Sequence, residues 1–232
     1  MLPKKLMSIV CFLLFSLQIT TASANDFSDP QDLVDQSTIL IKSFGKDPEM
    51  EWFQKNVHSA KAVFIVPQML KAGFFIGGSG GSGTLLARDA NTNVWSYPVF
   101  YTMGSVSFGL QIGGESSEIV LMVMSDKGMD SMLTTSFKLG ADVTVAAGPV
   151  GTGAKVATAD ILAFARSKGA FLGVSIEGAV IKPRDKWNAA YYKQQVSPAD
   201  IIIRKTATNP QADKLRNAVS RQAELETQKV TY

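Results

Sequence analysis

This 232-residue chain has one histidine, His58, and one cysteine, Cys11. A Ser–His–Asp relay would have to run through His58, but no G-x-S-x-G elbow occurs, and His58 falls at the end of a helix-like stretch. One histidine and one cysteine do not make a usual zinc site, so no metal is expected. Gly78, Gly80 and Gly83 formally satisfy G-x-G-x-x-G. The residues that follow, 84–88, read as a strand, whereas a pyrophosphate needs a helix N-terminus there. Residues 148–155, GPVGTGAK, fall just short of a phosphate loop. Ala154 separates the glycine from Lys155, and Val156 stands where a magnesium-binding hydroxyl belongs. Glu115, Glu118 and Glu177 are the carboxylates a hydrolase would use, and no spacing marks them as a pair. No catalytic residue and no cofactor is expected, and a hydrolase is the last-ranked reading.

The cations are patterned more clearly. Arg166 and Lys168 stand near the head of a glycine-punctuated stretch, 164–181, and Lys182, Arg184 and Lys186 follow it. In this stretch Val174 and Ile176 alternate with Ser175 and Glu177, the period of a half-buried strand. Glu177, a carboxylate in apolar company, should face solvent or be paired. Residues 166–205 hold eight basic and three acidic side chains, whereas 25–60 hold three basic and seven acidic. Such asymmetry can orient a protein on an anionic surface. The overall balance, +3 for the chain and +1 without Lys4 and Lys5, argues against a general nucleic-acid binder.

Lys4 and Lys5 precede an apolar run, 6–17, and Ala22-Ser23-Ala24 supplies a small-x-small cleavage signal. Residues 1–24 read as a secretory signal peptide, kept as an anchor if uncleaved. The remainder, 25–232, reads as one domain without cysteine and therefore without disulfides. Asp29-Pro30 starts an amphipathic, acidic-faced helix over 29–44, with Gly45 after it. Asp47-Pro48 starts a second helix, over 49–59, with Trp52, Phe53 and Val57 on its apolar side. Strands are read over 62–66, 72–78, 84–88 and 94–97, with 77–83 a loop, and then over alternating 106–112 and apolar 119–124. Short helices are read over 126–136, 185–192 and 197–204, and a longer one over 210–227. Of the 19 glycines, 18 lie between Gly73 and Gly178. That density fits bulges and close backbone approach in a curved sheet. The fold class is α+β: a glycine-rich, curved antiparallel β-sheet or barrel with flanking N- and C-terminal helices.

The ordered segments 71–78 (KAGFFIGG), 80–88 (GGSGTLLAR), 95–98 (WSYP), 108–115 (FGLQIGGE), 146–151 (AAGPVG), 166–178 (RSKGAFLGVSIEG) and 184–192 resemble the SYLF domain, the lipid- and actin-binding module of yeast actin-patch proteins, which also has secreted bacterial members. The resemblance implies a non-enzymatic domain that binds membrane lipids and, in some eukaryotic members, bundles actin. Eukaryotic members present a basic N-terminal helix, whereas 29–44 here is acidic. That difference bears on the docking face; a bacterial periplasm contains neither actin nor abundant phosphoinositides, so anionic lipid binding is carried over and actin bundling is not. The expected lipid-binding residues are Arg166, Lys168, Lys182, Arg184 and Lys186. The expected place is a bacterial periplasm, peripheral on a membrane. The expected partners are anionic lipids or an envelope protein, with no nucleic acid and no actin. A structural or protein-interaction module of the envelope is the alternative.

Overall fold

A computed structural model describes residues 29–148, 159–167 and 176–227, without the side chains of 73–76, 107–114 and 225–227. The signal segment 1–24, Cys11, Lys168 and most of the loop 148–155 lie outside the described residues.

The first helix, α1 (Pro30–Phe44), is set by its cap. The Asp29 carboxylate accepts from the N–H groups of Gln31 and Asp32 at 2.7 and 3.0 Å, and Pro30 is the first helical residue. Its apolar face, including Leu33, Val34, Ile41 and Phe44, is buried, and Asp32 and Asp35 face solvent. The second helical stretch lies where the sequence places it but is broken into a 3₁₀ turn (Pro48–Met50), α2 (Glu51–Asn56) and a second 3₁₀ turn (Val57–Ser59).

Two very long strands follow, β1 (Ala62–Ala87) and β2 (Val99–Val123), paired antiparallel from Ala62↔Val123 to Leu85↔Val99. The expected loop over 77–83 is therefore corrected: these glycines and serines lie within β1, in continuous register with 101–107 of β2. Pro67 falls at an irregularity between Val66 and Met69, and a second irregularity lies between Gly73 and Phe75.

A ribbon of this length, about 80 Å if straight, doubles back on itself. The Arg88 N–H donates to Lys61 O at 2.7 Å. A Cβ on Gly81 would sit 2.3 Å from Gln68 O, and one on Gly83 would sit 2.7 Å from Ile65 O. These contacts converge on a midpoint near residue 74, beside the second irregularity. Both halves of β1 thus lie side by side, flanked by both halves of β2.

Beyond β2 the sheet divides. Its first half pairs β6 (Val180–Pro183), which pairs β3 (Phe137–Lys138). Its second half pairs β5 (Ile161–Ser167), which pairs β4 (Val145–Ala147) in parallel, the one departure from antiparallel order among the described strands. With the halves of β1 and β2 counted separately, eight segments form a curled half-barrel. The fold is α+β, as the sequence implies. The stretch 164–181 is not one strand: β5 is described as far as Ser167, residues 168–175, with Val174 and Ser175, lie outside the described residues, and 176–179 form a turn closed by Ala179 N–H to Ile176 O at 3.1 Å. Gly178 takes φ +82 in that turn, a left-handed value suited to glycine. Glu177 is exposed there.

Inside the curl Tyr101 meets Phe64, with ring centroids 5.9 Å apart. The outer face is covered at one end by helices. Thr84 of β1 donates to Ser37 of α1 at 2.9 Å, and Phe100 of β2 packs on Trp187 and Tyr191 of α4 (Asp185–Tyr192). The remaining helices are α3 (Asp126–Met132), α5 (Pro198–Ile202) and α6 (Asp213–Thr227). One apolar cluster runs from Leu33 to Ala223.

Candidate functional site

Strand alternation orients β6. Ile181 is buried, while Val180 and Lys182 point outward. The chain then enters α4, which a buried amide holds to the sheet. Asn188 Oδ1 accepts from Phe100 N–H at 2.9 Å, and its Nδ2 donates to Phe100 O at 3.3 Å, in place of the neighbouring strand that β2 lacks there. The Arg184 N–H donates to Phe100 O at 2.8 Å. Its guanidinium lies 3.5 Å from the Trp187 ring centroid and donates to Ser82 Oγ. A cation held over an indole keeps its charge at the surface while its plane is packed.

Lys182, Arg184 and Lys186 are thereby brought together where β6 passes into α4, with Lys182 and Lys186 exposed. Sheet pairing adds neighbours that sequence proximity misses. Lys138 lies opposite Val180, Thr102 opposite Lys182, and Gly104 opposite Val180. Val106, on the same side of β2 as Thr102 and Gly104, is 70 % exposed, and Val180 is 42 % exposed. Among the described residues no carboxylate forms an ion pair with Lys138, Lys182 or Lys186. This outer face is a basic strip with exposed valines and a low glycine floor, an arrangement that can meet an extended anionic surface.

Arg166 belongs elsewhere. It sits on β5, five positions from β6 around the sheet, with its side chain only 14 % exposed. Nη1 contacts Asp47 Oδ2 at 2.7 Å, Nη2 contacts Glu118 Oε2 at 2.6 Å and Ser43 Oγ at 2.9 Å, and the guanidinium lies over Phe44. Burial works against its charge, but the bonds to Glu118 and Asp47 outweigh that and raise its pKa further above neutrality. It is a tie between the sheet and the end of α1, not part of the basic strip.

The carboxylates do not assemble a hydrolytic pair. Glu118 is engaged by Arg166, Glu115 is three residues away on the opposite face of β2, and Glu177 occupies an exposed turn. Among the described residues, His58 Nε2 meets only the adjacent Ser59 Oγ, at 3.1 Å. Among the described residues no three metal-ligating side chains cluster.

Residues 104–222 match the family model described as "Las17-binding protein actin regulator", Ysc84. Protein YSC84 of Saccharomyces cerevisiae is 32 % identical over 164 residues, which is 67 % of this chain and 35 % of that protein. The human SH3 domain-containing YSC84-like protein 1 is 31 % identical over 165 residues, 68 % of this chain and 48 % of that protein. An SH3 domain-containing protein of Schizosaccharomyces pombe is 30 % identical over 159 residues, 65 % of this chain and 37 % of that protein. The chain thus spans between a third and a half of the length of these relatives. With the matched span running from within β2 through everything that follows it into α6, the chain belongs to the Ysc84 family, whose shared module is the SYLF domain.

Proposed function

We propose that this protein is a non-enzymatic binding module that docks on anionic lipid head groups through the outer face of β6, β3 and the start of α4. One observation carries the reading: Lys138, Lys182, Arg184 and Lys186 share one outer face with two exposed valines, Val106 and Val180. Cations near an anionic membrane contribute on the order of 1 kcal/mol each and are screened by salt. The valines and Trp187 suit the interfacial layer beneath the head groups. No helix among the described residues is long and apolar enough to cross a membrane, so the contact proposed is peripheral. The apolar run at 6–17 supports export into the envelope, and the mature N-terminus is then Asn25, which mass spectrometry of the natural protein checks.

The test is co-sedimentation with anionic and zwitterionic vesicles at low and high salt. Binding confined to anionic vesicles and reduced by salt is the expected result, and Lys182→Ala with Lys186→Ala weakens it about tenfold at low salt. Equal binding by the folded double variant would remove the assignment. The family description as a Las17-binding regulator favours a second reading, a protein partner on the same face. Retention of a stoichiometric envelope protein with no lipid dependence would support that reading instead.

A further inference from the structure

The two ends of β1, the 89–97 connection, α3 and the link from α5 to α6 enclose a cleft of about 510 Å³. That falls within the range of about 300–1,000 Å³ typical of small-molecule sites. None of Lys138, Lys182 or Lys186 lines it, so it is separate from the basic strip. Its lining is apolar in the depth: Trp95, Ile201 and Ile202 are buried, and Met129 is half-buried. The mouth is apolar too. Val94 is 54 % and Ile203 is 61 % exposed, two of the five large exposed hydrophobics among the described residues. A compact polar ligand would leave that apolar track from depth to mouth uncovered, whereas a linear hydrocarbon chain would cover it.

The charges around the cleft specify the head. Lys61 is paired with Asp126 at 2.8 Å, Lys205 with Asp89, and Arg216 with Asp213 at 3.1 Å. Lys205 and the backbone N–H groups of Thr92 and Asn91 hold the Asp89 carboxyl well below the usual carboxylate range, so that pair is fully ionised and balanced. Arg88 differs. Its Nε donates to Ala60 O at 3.2 Å and its Nη1 to Asn93 Oδ1 at 3.0 Å, both neutral acceptors. Among the described residues no carboxylate pairs with it. One guanidinium with unbalanced charge therefore stands beside an apolar channel, and a single planar carboxylate matches its fork.

We propose that this cleft binds a single-chain carboxylate amphiphile of the fatty-acid type, its head on Arg88 and its chain along Trp95, Ile201 and Ile202 toward Val94 and Ile203. The experiment is calorimetric titration of the protein with dodecanoate and dodecyltrimethylammonium, both below their micellar concentrations, and with dodecanol below its solubility limit. Expected are saturable one-to-one binding of dodecanoate, affinity at least about tenfold lower for the alcohol, and no binding of the cation. Ile203→Glu, at an exposed position that the fold tolerates, weakens dodecanoate more than about tenfold. Arg88→Gln removes the preference for the carboxylate over the alcohol. Should that variant fail to fold, the three head groups on the unaltered protein together with Ile203→Glu still decide. Equal affinity for all three heads, absence of saturable binding, or indifference to Ile203→Glu would overturn the proposal. Vesicle binding separates the two sites: Lys182→Ala with Lys186→Ala reduces it and leaves dodecanoate binding unchanged, and Ile203→Glu does the reverse.

Discussion

At the scale of single residues, Arg166 shows how far chain proximity can mislead. Two residues from Lys168 and 16 from Lys182, it reads as one of a basic group. Its partners Glu118 and Asp47 stand 48 and 119 residues away, and no local pattern announces them. Buried in this way, a guanidinium with three partners fixes β5, β2 and the end of α1 relative to one another. Removing one member of a buried charged network costs about 3–5 kcal/mol because the others are left unpaired. Glu118 is 39 % exposed and recovers part of that from water. We therefore expect Arg166→Ala to lower unfolding stability by about 2–3 kcal/mol in urea titration and to leave the vesicle affinity of the folded protein unchanged. Arg166→Lys keeps the charge but loses the fork, and falls between the two. A variant as stable as the parent but weaker on anionic vesicles would return Arg166 to the lipid surface. By contrast, Lys182, Arg184 and Lys186 were legible as a group because strand alternation and the start of α4 are local. Lys138 and Val106 were not, since only sheet pairing brings them to the same face.

At the scale of elements, the helices were legible and the central ribbon was not. Asp29-Pro30, Asp47-Pro48 and Ser197-Pro198 carry their instructions within a few residues, and each side chain caps as its type dictates. The run 77–83 carries the composition of a loop yet lies in strand, because Gly81 and Gly83 answer to contacts 13 to 19 residues back along the same strand. A Cβ on Gly83 would meet the Phe64 ring at 2.5 Å and Ile65 O at 2.7 Å, and one on Gly81 would meet Gln68 O at 2.3 Å. On Gly78 and Gly80 it would meet nothing nearer than 3.8 and 4.0 Å. Where the ribbon doubles back, glycine is required by space; in the exposed strip it is not. Gly83→Ala is expected to cost about 1–3 kcal/mol through overpacking. Gly78→Ala is expected to be neutral or slightly stabilising, since alanine restricts the unfolded chain. Chemical denaturation of the two variants side by side is the check, and equal costs would mean that the two halves of β1 do not pack as closely as described.

At the scale of the whole molecule, the family match and the folding unit do not coincide. The match runs over 104–222 and so begins inside β2. Along its whole length β2 is paired to β1, and β1 is covered by α1, both upstream of the match. Cut at residue 104, β2 would keep β5 along 117–123 but lose the strand on its other edge and the partners of Ile119, Val120 and Leu121, all now fully buried. An apolar strand with an unpaired edge is an aggregation site. The lost burial also exceeds the few kcal/mol by which domains are stable. A protein of residues 104–222 is therefore expected to be unfolded or aggregated, with a collapsed amide spectrum. Residues 29–227 should give dispersed amide signals and one cooperative transition by two independent probes. Dispersed signals from the shorter piece would make β1 and α1 accessory to a self-sufficient core. The expected outcome instead makes the doubled ribbon the scaffold on which the matched region depends. It would also explain why the three relatives named align with this chain over 159 to 165 residues rather than over the 119 of the match alone.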